Sequence, residues 1–243
     1  MSGRGIREIL AVAVAERVPV TFFPTANSLR RYPELWREIS AAGFAIGNHT
    51  VAHRPLPALL KSGGEEAVRT AIAGWNEAAE TIGIATIPFL RPPYGEHSKK
   101  TDAIALATGI SHVVNWGATF ADTAPRCSGT IAGRIAHATN GGQGVIVLGH
   151  TGALGRAYEP MTARIFAEVI RSYRTRKITP VSLDTMFGAP TRTIDWALAA
   201  IATSAPAKSG QPRVPTVAPR PYPRSALLLS PGAAAGVCLN PSP

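Results

Sequence analysis

Apolar positions return at helical spacing from Ile6 to Arg17, among good helix formers, and the run Val18-Pro19-Val20-Thr21-Phe22-Phe23 that follows reads as a buried strand. The unit then repeats. Tyr32 to Ala42 is a second amphipathic helix stopped by Gly43, and Phe44 to Ile46 is a short strand. Glu65 to Ile82 places Val68, Ile72, Trp75 and Ala79 on one face and ends at Gly83. The short strand Ile87-Pro88-Phe89-Leu90 exits into Arg91-Pro92-Pro93-Tyr94-Gly95. A helix over Thr101 to Thr108, closed by Gly109, leads to a strand from His112 to Trp116. The pattern further predicts a helix over Ile131 to Ala138, a strand from Gly144 to Leu148, a helix over Met161 to Arg174 and a last strand from Pro180 to Leu183. Helices alternating with short apolar strands imply an α/β fold on a parallel sheet, open or closed as a barrel.

From Pro190 the composition changes. Nine of the last 40 residues are Pro, set among Ala, Ser and Arg, so residues 190–243 read as a Pro/Ala-rich basic tail, disordered apart from a short helix over Asp195 to Ile201, after a domain spanning 1–189. The formal charge of +10 invites a nucleic-acid partner, but its distribution argues otherwise. Lys208, Arg213, Arg220 and Arg224 carry +4 of it in a stretch with no acidic residue after Asp195, and elsewhere the only local cluster is Arg171, Arg174, Arg176 and Lys177. The charge is read as a surface property, with no nucleic-acid partner. Cys127 and Cys238 are too few to define a disulfide framework. No run approaches the ~20 apolar residues of a membrane helix. The N-terminus also lacks the basic, apolar and small-residue order of an export signal.

Candidate chemistry stands at three strand exits. His49 and His53 lie four residues apart, and if the segment opens a helix capped by Asn48 or Thr50 they project from one face and can share a cation. Thr50 stands where the zincin signature needs Glu, which excludes that class. Arg91 to Gly95 follows the next strand, and His150 follows Leu148-Gly149. Each has an ordinary alternative: a chance pair, a stiffened turn, a satisfied polar side chain. Together, at the same ends of parallel strands, they point to an active site.

These motifs resemble those of the polysaccharide deacetylase family, carbohydrate esterase family four, which removes N- or O-acetyl groups from sugars. His49-Thr50-Val51-Ala52-His53 matches the family's His-Ser/Thr-x-x-His, Arg91-Pro92-Pro93-Tyr94 its Arg-x-Pro-Tyr, and Leu148-Gly149-His150 its Leu-x-His; the likeness runs from Ile6 to Phe187. The resemblance implies a distorted (β/α) barrel of parallel strands with outer helices. It also implies a divalent metal, zinc or a similar ion, held by His49 and His53. A cation there would polarise an acetyl carbonyl and acidify water toward ~7. By the same resemblance the Tyr94 backbone amide helps hold the oxyanion, Leu148 lines the acetyl pocket, and His150 protonates the departing amine. Arg91 would pair with the catalytic base.

Two departures stand out. The family opens with a strand ending in Thr-Phe-Asp-Asp, which supplies the base and a third metal ligand, and these 243 residues contain no Asp-Asp pair. The first helix corresponds to the one after that motif, so the sequence reads as truncated before it, with the first barrel strand missing and an edge of the sheet left open. Weak metal binding and very low turnover are expected of the isolated chain. In the fourth motif the family has Asp followed by Trp, whereas Asp122 is followed by Thr123. Asp122 is assigned an orienting role, with Trp116 at the sugar side. His97, His112 and His137 match no motif and are read as structural or surface residues. The expected function is removal of acetyl groups from an N-acetylated glycan such as chitin oligomers or peptidoglycan, outside the cell or at its envelope. The alternative is a degenerate carbohydrate-binding module that keeps the groove without the base.

Overall fold

The computed structural model of the chain describes residues 3–120, 122, 144–151 and 159–204. Its helices are α1 (Gly3–Ala15), α2 (Ala26–Arg31), α3 (Pro33–Ala41), α4 (Leu56–Thr81), α5 (Lys99–Ala107), α6 (Glu159–Thr175), α7 (Leu183–Met186) and α8 (Trp196–Ser204). The described residues form two compact units. One holds 10–114 and 180–204; the other holds 3–9, 115–120, 122, 144–151 and 159–179.

The larger unit is built on four short parallel strands, β1 (Thr21–Phe22), β2 (Ala45–Ile46), β3 (Phe89–Leu90) and β4 (His112–Val113). Thr21 pairs with Ala45 and Phe22 with Ile46, while Phe89 pairs with His112 and Leu90 with Val113. A bridge from Asn48 to Leu90 joins the two pairs, so spatial order follows chain order. Parallel neighbours need long crossovers, and helices supply them. α3 starts with Pro33 at its first turn beside Glu34, and buries Leu35, Trp36 and Ile39 at helical spacing. α5 starts at a capping box in which the Ser98 and Thr101 side chains each take the other's backbone N–H.

Three sequence expectations are corrected here. The helix read over Glu65 to Ile82 is the second limb of α4, which begins at Leu56 and bends at Gly63-Gly64, where Gly64 takes φ 68°; the two glycines break the apolar period there. Val68, Ile72, Trp75 and Ala79 are buried as that period required. The strand expected from Pro180 to Leu183 does not form. Pro180 has no N–H for a ladder, and the Leu183 N–H donates to the Thr21 Oγ1 at 2.9 Å, after which the chain turns into α7. The third concerns the tail. Residues 190–204 are part of the larger unit rather than disordered chain. The Asp195 N–H donates to the Ala42 carbonyl (2.9 Å), and the Asp195 Oδ1 caps α8 by accepting the Ala197 and Leu198 N–H groups at 3.0 Å each. Trp196 meets Phe44 edge-on at 6.0 Å, and Ala199 and Ala202 are fully buried. Gly43, at φ 92°, carries no side chain because a Cβ would lie 2.4 Å from the Thr193 carbonyl oxygen. Residues 205–243 and the helix expected over Ile131 to Ala138 lie outside the described residues, as do Cys127, Cys238 and His137.

His112 lies against the rings of Phe89 (4.6 Å) and Phe187 (4.9 Å), with Nδ1 and the Ser111 Oγ 2.8 Å apart. Burial lowers its pKa below the ordinary imidazole value. The unfolded chain therefore takes up this proton first as pH falls, so stability present above the unfolded value of about 6.5 is lost through the window just beneath it. His112→Phe keeps the aromatic contacts and removes the titration. The gap in urea midpoint between pH about 7.5 and about 5 should be narrower in the variant than in the parent.

The smaller unit pairs β5 (Ala118–Thr119) with β6 (Val147–Leu148) in parallel, Ala118 with Val147 and Thr119 with Leu148. α6 buries Ile165, Phe166, Val169 and Ile170, and Phe166 packs on Phe120 at 5.8 Å. No described helix is long and apolar enough to cross a membrane.

Candidate active site

The paired histidines leave β2 through Gly47, where only glycine fits: a Cβ would sit 2.5 Å from the Phe23 ring and 2.9 Å from the Phe89 carbonyl oxygen. The segment does not open a helix, contrary to the expectation from its spacing. Asn48 accepts the Thr50 N–H on its own Oδ1 (2.8 Å), and Thr50 and His53 adopt the left-handed region at φ 61° and 59°. α4 starts only after Pro55. The turn nevertheless does what a helix would have done: the two imidazoles meet edge-on with centroids 4.7 Å apart. The His49 Nδ1 lies 2.6 Å from the Arg91 carbonyl oxygen, so it carries the proton and donates, and Nε2 is the nitrogen that could hold a metal.

Arg91 to Gly95 comes from the end of β3 in the same unit. Tyr94 also takes a left-handed φ, 59°, in the turn Pro93–Gly95, and its largely exposed ring packs on His53 at 4.6 Å. Three non-glycine residues with positive φ thus gather in two adjoining turns, strain of the kind that persists where surrounding contacts over-determine it. Arg91 is buried. Its Nε donates to the Val114 carbonyl (2.8 Å), its guanidinium stacks over the Phe23 ring at 4.8 Å, and burial lowers its pKa to about 10. It stays cationic at neutral pH, with a carbonyl and a ring among the groups that direct it.

The smaller unit holds a second cluster, centred on Asp122. Its buried carboxylate accepts three hydrogen bonds, from the His150 backbone N–H (2.7 Å), from the His150 Nδ1 (2.8 Å) and from the Thr162 hydroxyl (2.9 Å). A carboxylate only accepts, so Nδ1 carries its hydrogen and Nε2 is the ring nitrogen that could take part in proton exchange. Gly149 lets the loop close on Phe120, since a Cβ there would lie 2.5 Å from that ring. Leu148, at the end of β6, and Trp116 are half-buried in this unit. Thr162, on α6, was not read from the sequence. It stands 40 residues from Asp122, with no local signal to connect them. The other two motif-free histidines have structural partners: His112 has its rings, and His97 bonds the Asp102 carboxylate at 2.8 Å.

Two neutral imidazoles, one oriented by a carbonyl, suit zinc or cobalt in kind. In number they fall short of the three protein ligands usual in catalytic zinc sites, and no group of three His, Cys, Asp or Glu able to hold an ion occurs among the described residues.

Residues 3–113 match the family described as polysaccharide deacetylase. A peptidoglycan-N-acetylglucosamine deacetylase of Bacillus cereus is 26% identical over 180 residues, 74% of this chain and 62% of that protein. A chitooligosaccharide deacetylase of Azorhizobium caulinodans is 32% identical over 134 residues, 54% of this chain and 60% of that protein. The chain thus spans less than two thirds of the length of these relatives. Among solved structures, a family 4 acetyl xylan esterase from Clostridium thermocellum in complex with a cobalt ion superposes with a TM-score of 0.65 at 22% identity, covering 78% of this chain and 88% of that one. A family 4 carbohydrate esterase from Streptomyces lividans in complex with acetate gives 0.62 at 18% identity, covering 74% and 86%. The shared fold is the distorted (β/α) barrel of these enzymes. Motifs, matched segment and fold agree, and the chain is similar to the polysaccharide deacetylase family, carbohydrate esterase family four.

Proposed function

We propose that this protein is a metal-dependent hydrolase that removes acetyl groups from a glycan containing N-acetylglucosamine, of the chitin or peptidoglycan class, outside the cell or at its envelope. The observation that carries the reading is the imidazole pair, with His49 Nδ1 held by the Arg91 carbonyl. His49 and His53 would hold the metal, and zinc or cobalt fits their chemistry. When bound, such an ion supplies Lewis-acid polarisation of an acetyl carbonyl and acidifies water.

The chain's own residues serve the rest. The turn at Tyr94 fixes a backbone amide for the developing oxyanion, a contact typically worth about 100- to 1,000-fold in rate. As the carbon–nitrogen bond of the acetamide breaks, His150 gives its Nε2 proton to the departing amine. The neutral ring left behind keeps Nδ1–H on the Asp122 carboxylate. Thr162 holds the second carboxylate oxygen, so the ring keeps one orientation through the transfer. No base is assigned, because the family's Asp-Asp pair has no counterpart in these 243 residues.

A donor set of two among the described residues favours one alternative, a carbohydrate-binding module of the same fold without turnover. Acetate release from N-acetylated chito-oligosaccharides with zinc present separates the two. The chain itself should release acetate slowly, and a version carrying an added N-terminal strand ending in Thr-Phe-Asp-Asp should release it faster and melt at higher temperature. Oligosaccharide binding without acetate release in either form would replace the hydrolase reading with the binding module.

A further inference from the structure

The histidine turn is bolted to one face of α4. Asn48 is fully buried, and its Nδ2 donates to the Ile72 carbonyl (3.0 Å) and to the Asn76 Oδ1 (3.1 Å). Ile72 and Asn76 are four residues apart, hence neighbours on that face. The Val51 N–H donates to the Ala71 carbonyl (3.1 Å), and Gly74 leaves only enough room for Val51, whose Cγ2 would lie 3.0 Å from a Cβ there. On the other side the turn gives its Thr50 and Val51 carbonyls to the Ala26 and Asn27 N–H groups (3.0 and 3.2 Å).

The amide plane of Asn48 is thus set by two acceptors on α4, and the oxygen of that amide holds the Thr50 N–H at 2.8 Å. Thr50 is β-branched and sits at φ 61° between the two histidines, a conformation costing on the order of 1–3 kcal/mol unless its surroundings impose it. We propose that Asn76 is a positioning residue for the metal pair. It acts through Asn48 and Thr50 to keep the His49 and His53 rings at their mutual angle, while touching neither. The inference rests on reading those two histidines as metal ligands. It adds α4 as the element that sets their geometry.

The test compares the full chain with Asn76→Leu, which removes the acceptor at similar volume, and Asn76→Asp, which keeps an acceptor oxygen. Cobalt(II) chloride is titrated into each and followed by visible absorption, and hydrogen exchange of the Thr50 and Val51 amides is measured without metal. Asn76→Leu should weaken cobalt binding about tenfold, the usual worth of a group supporting a ligand, and Asn76→Asp should restore most of it. Exchange at Thr50 should quicken in the leucine variant while α5 amides hold their rates. A lower urea midpoint in Asn76→Leu, with cobalt affinity and Thr50 exchange both unchanged, would reduce Asn76 to a structural residue and overturn the proposal. If the parent chain takes up no cobalt, exchange decides: faster at Thr50 in the leucine variant alone supports positioning, and equal rates in all three chains overturn it. A cobalt shift in a chain that releases no acetate would support the positioning role while removing the catalytic reading.

Discussion

His150→Ala, made in the chain carrying the added Asp-Asp strand, should cut acetate release by roughly 100- to 10,000-fold, the usual worth of a general acid, and leave zinc affinity unchanged. The separation follows from the contacts. His150 bonds Asp122 through both its backbone N–H and its Nδ1, so the imidazole is held by a carboxylate, itself anchored by Thr162, in a different cluster from His49 and His53. Removing the ring takes away the proton donor at Nε2 while the backbone N–H stays on Asp122, and the loop keeps its anchor. A leaving group that needs no protonation should lose less, so an aryl acetate ester should be hydrolysed with a smaller deficit than the acetamide. Equal loss on ester and amide, or parallel loss of zinc binding, would mean that His150 acts on the fold and not on the proton.

The second large effect concerns stability. Trp75→Ala should lower the free energy of unfolding by about 3–5 kcal/mol, against a total of roughly 5–15 kcal/mol for a domain of ordinary stability. The indole is 1% exposed on α4, beside Ile72 and Ala79 in the buried stripe, and its Nε1–H donates to the Pro24 carbonyl at 2.6 Å. The variant leaves both a cavity and a buried carbonyl without its donor. Trp75→Phe fills most of the volume and isolates the hydrogen bond, so its cost should be smaller, about 1–3 kcal/mol. Urea denaturation with an unchanged slope measures both. A loss below about 1 kcal/mol in Trp75→Ala would show that the site collapses around the missing ring and that α4 is not held by it.

Much of this architecture is legible in the residues, for a physical reason. α3 and the second limb of α4 bury one face at a regular period, and Gly43 and Gly83 end them with positive φ, so periodicity and stop signals agree. The three motif turns are legible because glycine, proline and histidine mark strand exits in this fold class. Other features depend on side-chain contacts that periodicity does not show, some local and some far along the chain. The histidine turn is not helical because Asn48 takes the Thr50 N–H for itself, a local competition that i, i+4 spacing alone does not reveal. α2 has six residues and no apolar stripe, and is started by Thr25 accepting the Ser28 N–H. The short helix expected over Asp195 to Ile201 forms as α8, but its docking on the domain is not legible because its buried contacts are made by alanines. Those small side chains, Ala199 and Ala202, are what let it lie flat against its neighbours, with Trp196 as its one large anchor. Thr162 and Asn76 carry no motif, since each acts on a residue reached only through the fold.

The claim at the centre of this account is that the turn from Gly47 to His53 binds a divalent metal through its two imidazoles. Calorimetric titration of zinc into the chain tests it most directly, with His49→Ala and His53→Ala as paired controls. The account predicts one zinc per chain, bound more weakly than in sites with three protein ligands, and no binding in either variant. Zinc bound equally by the parent and by both variants would place the metal elsewhere and contradict it.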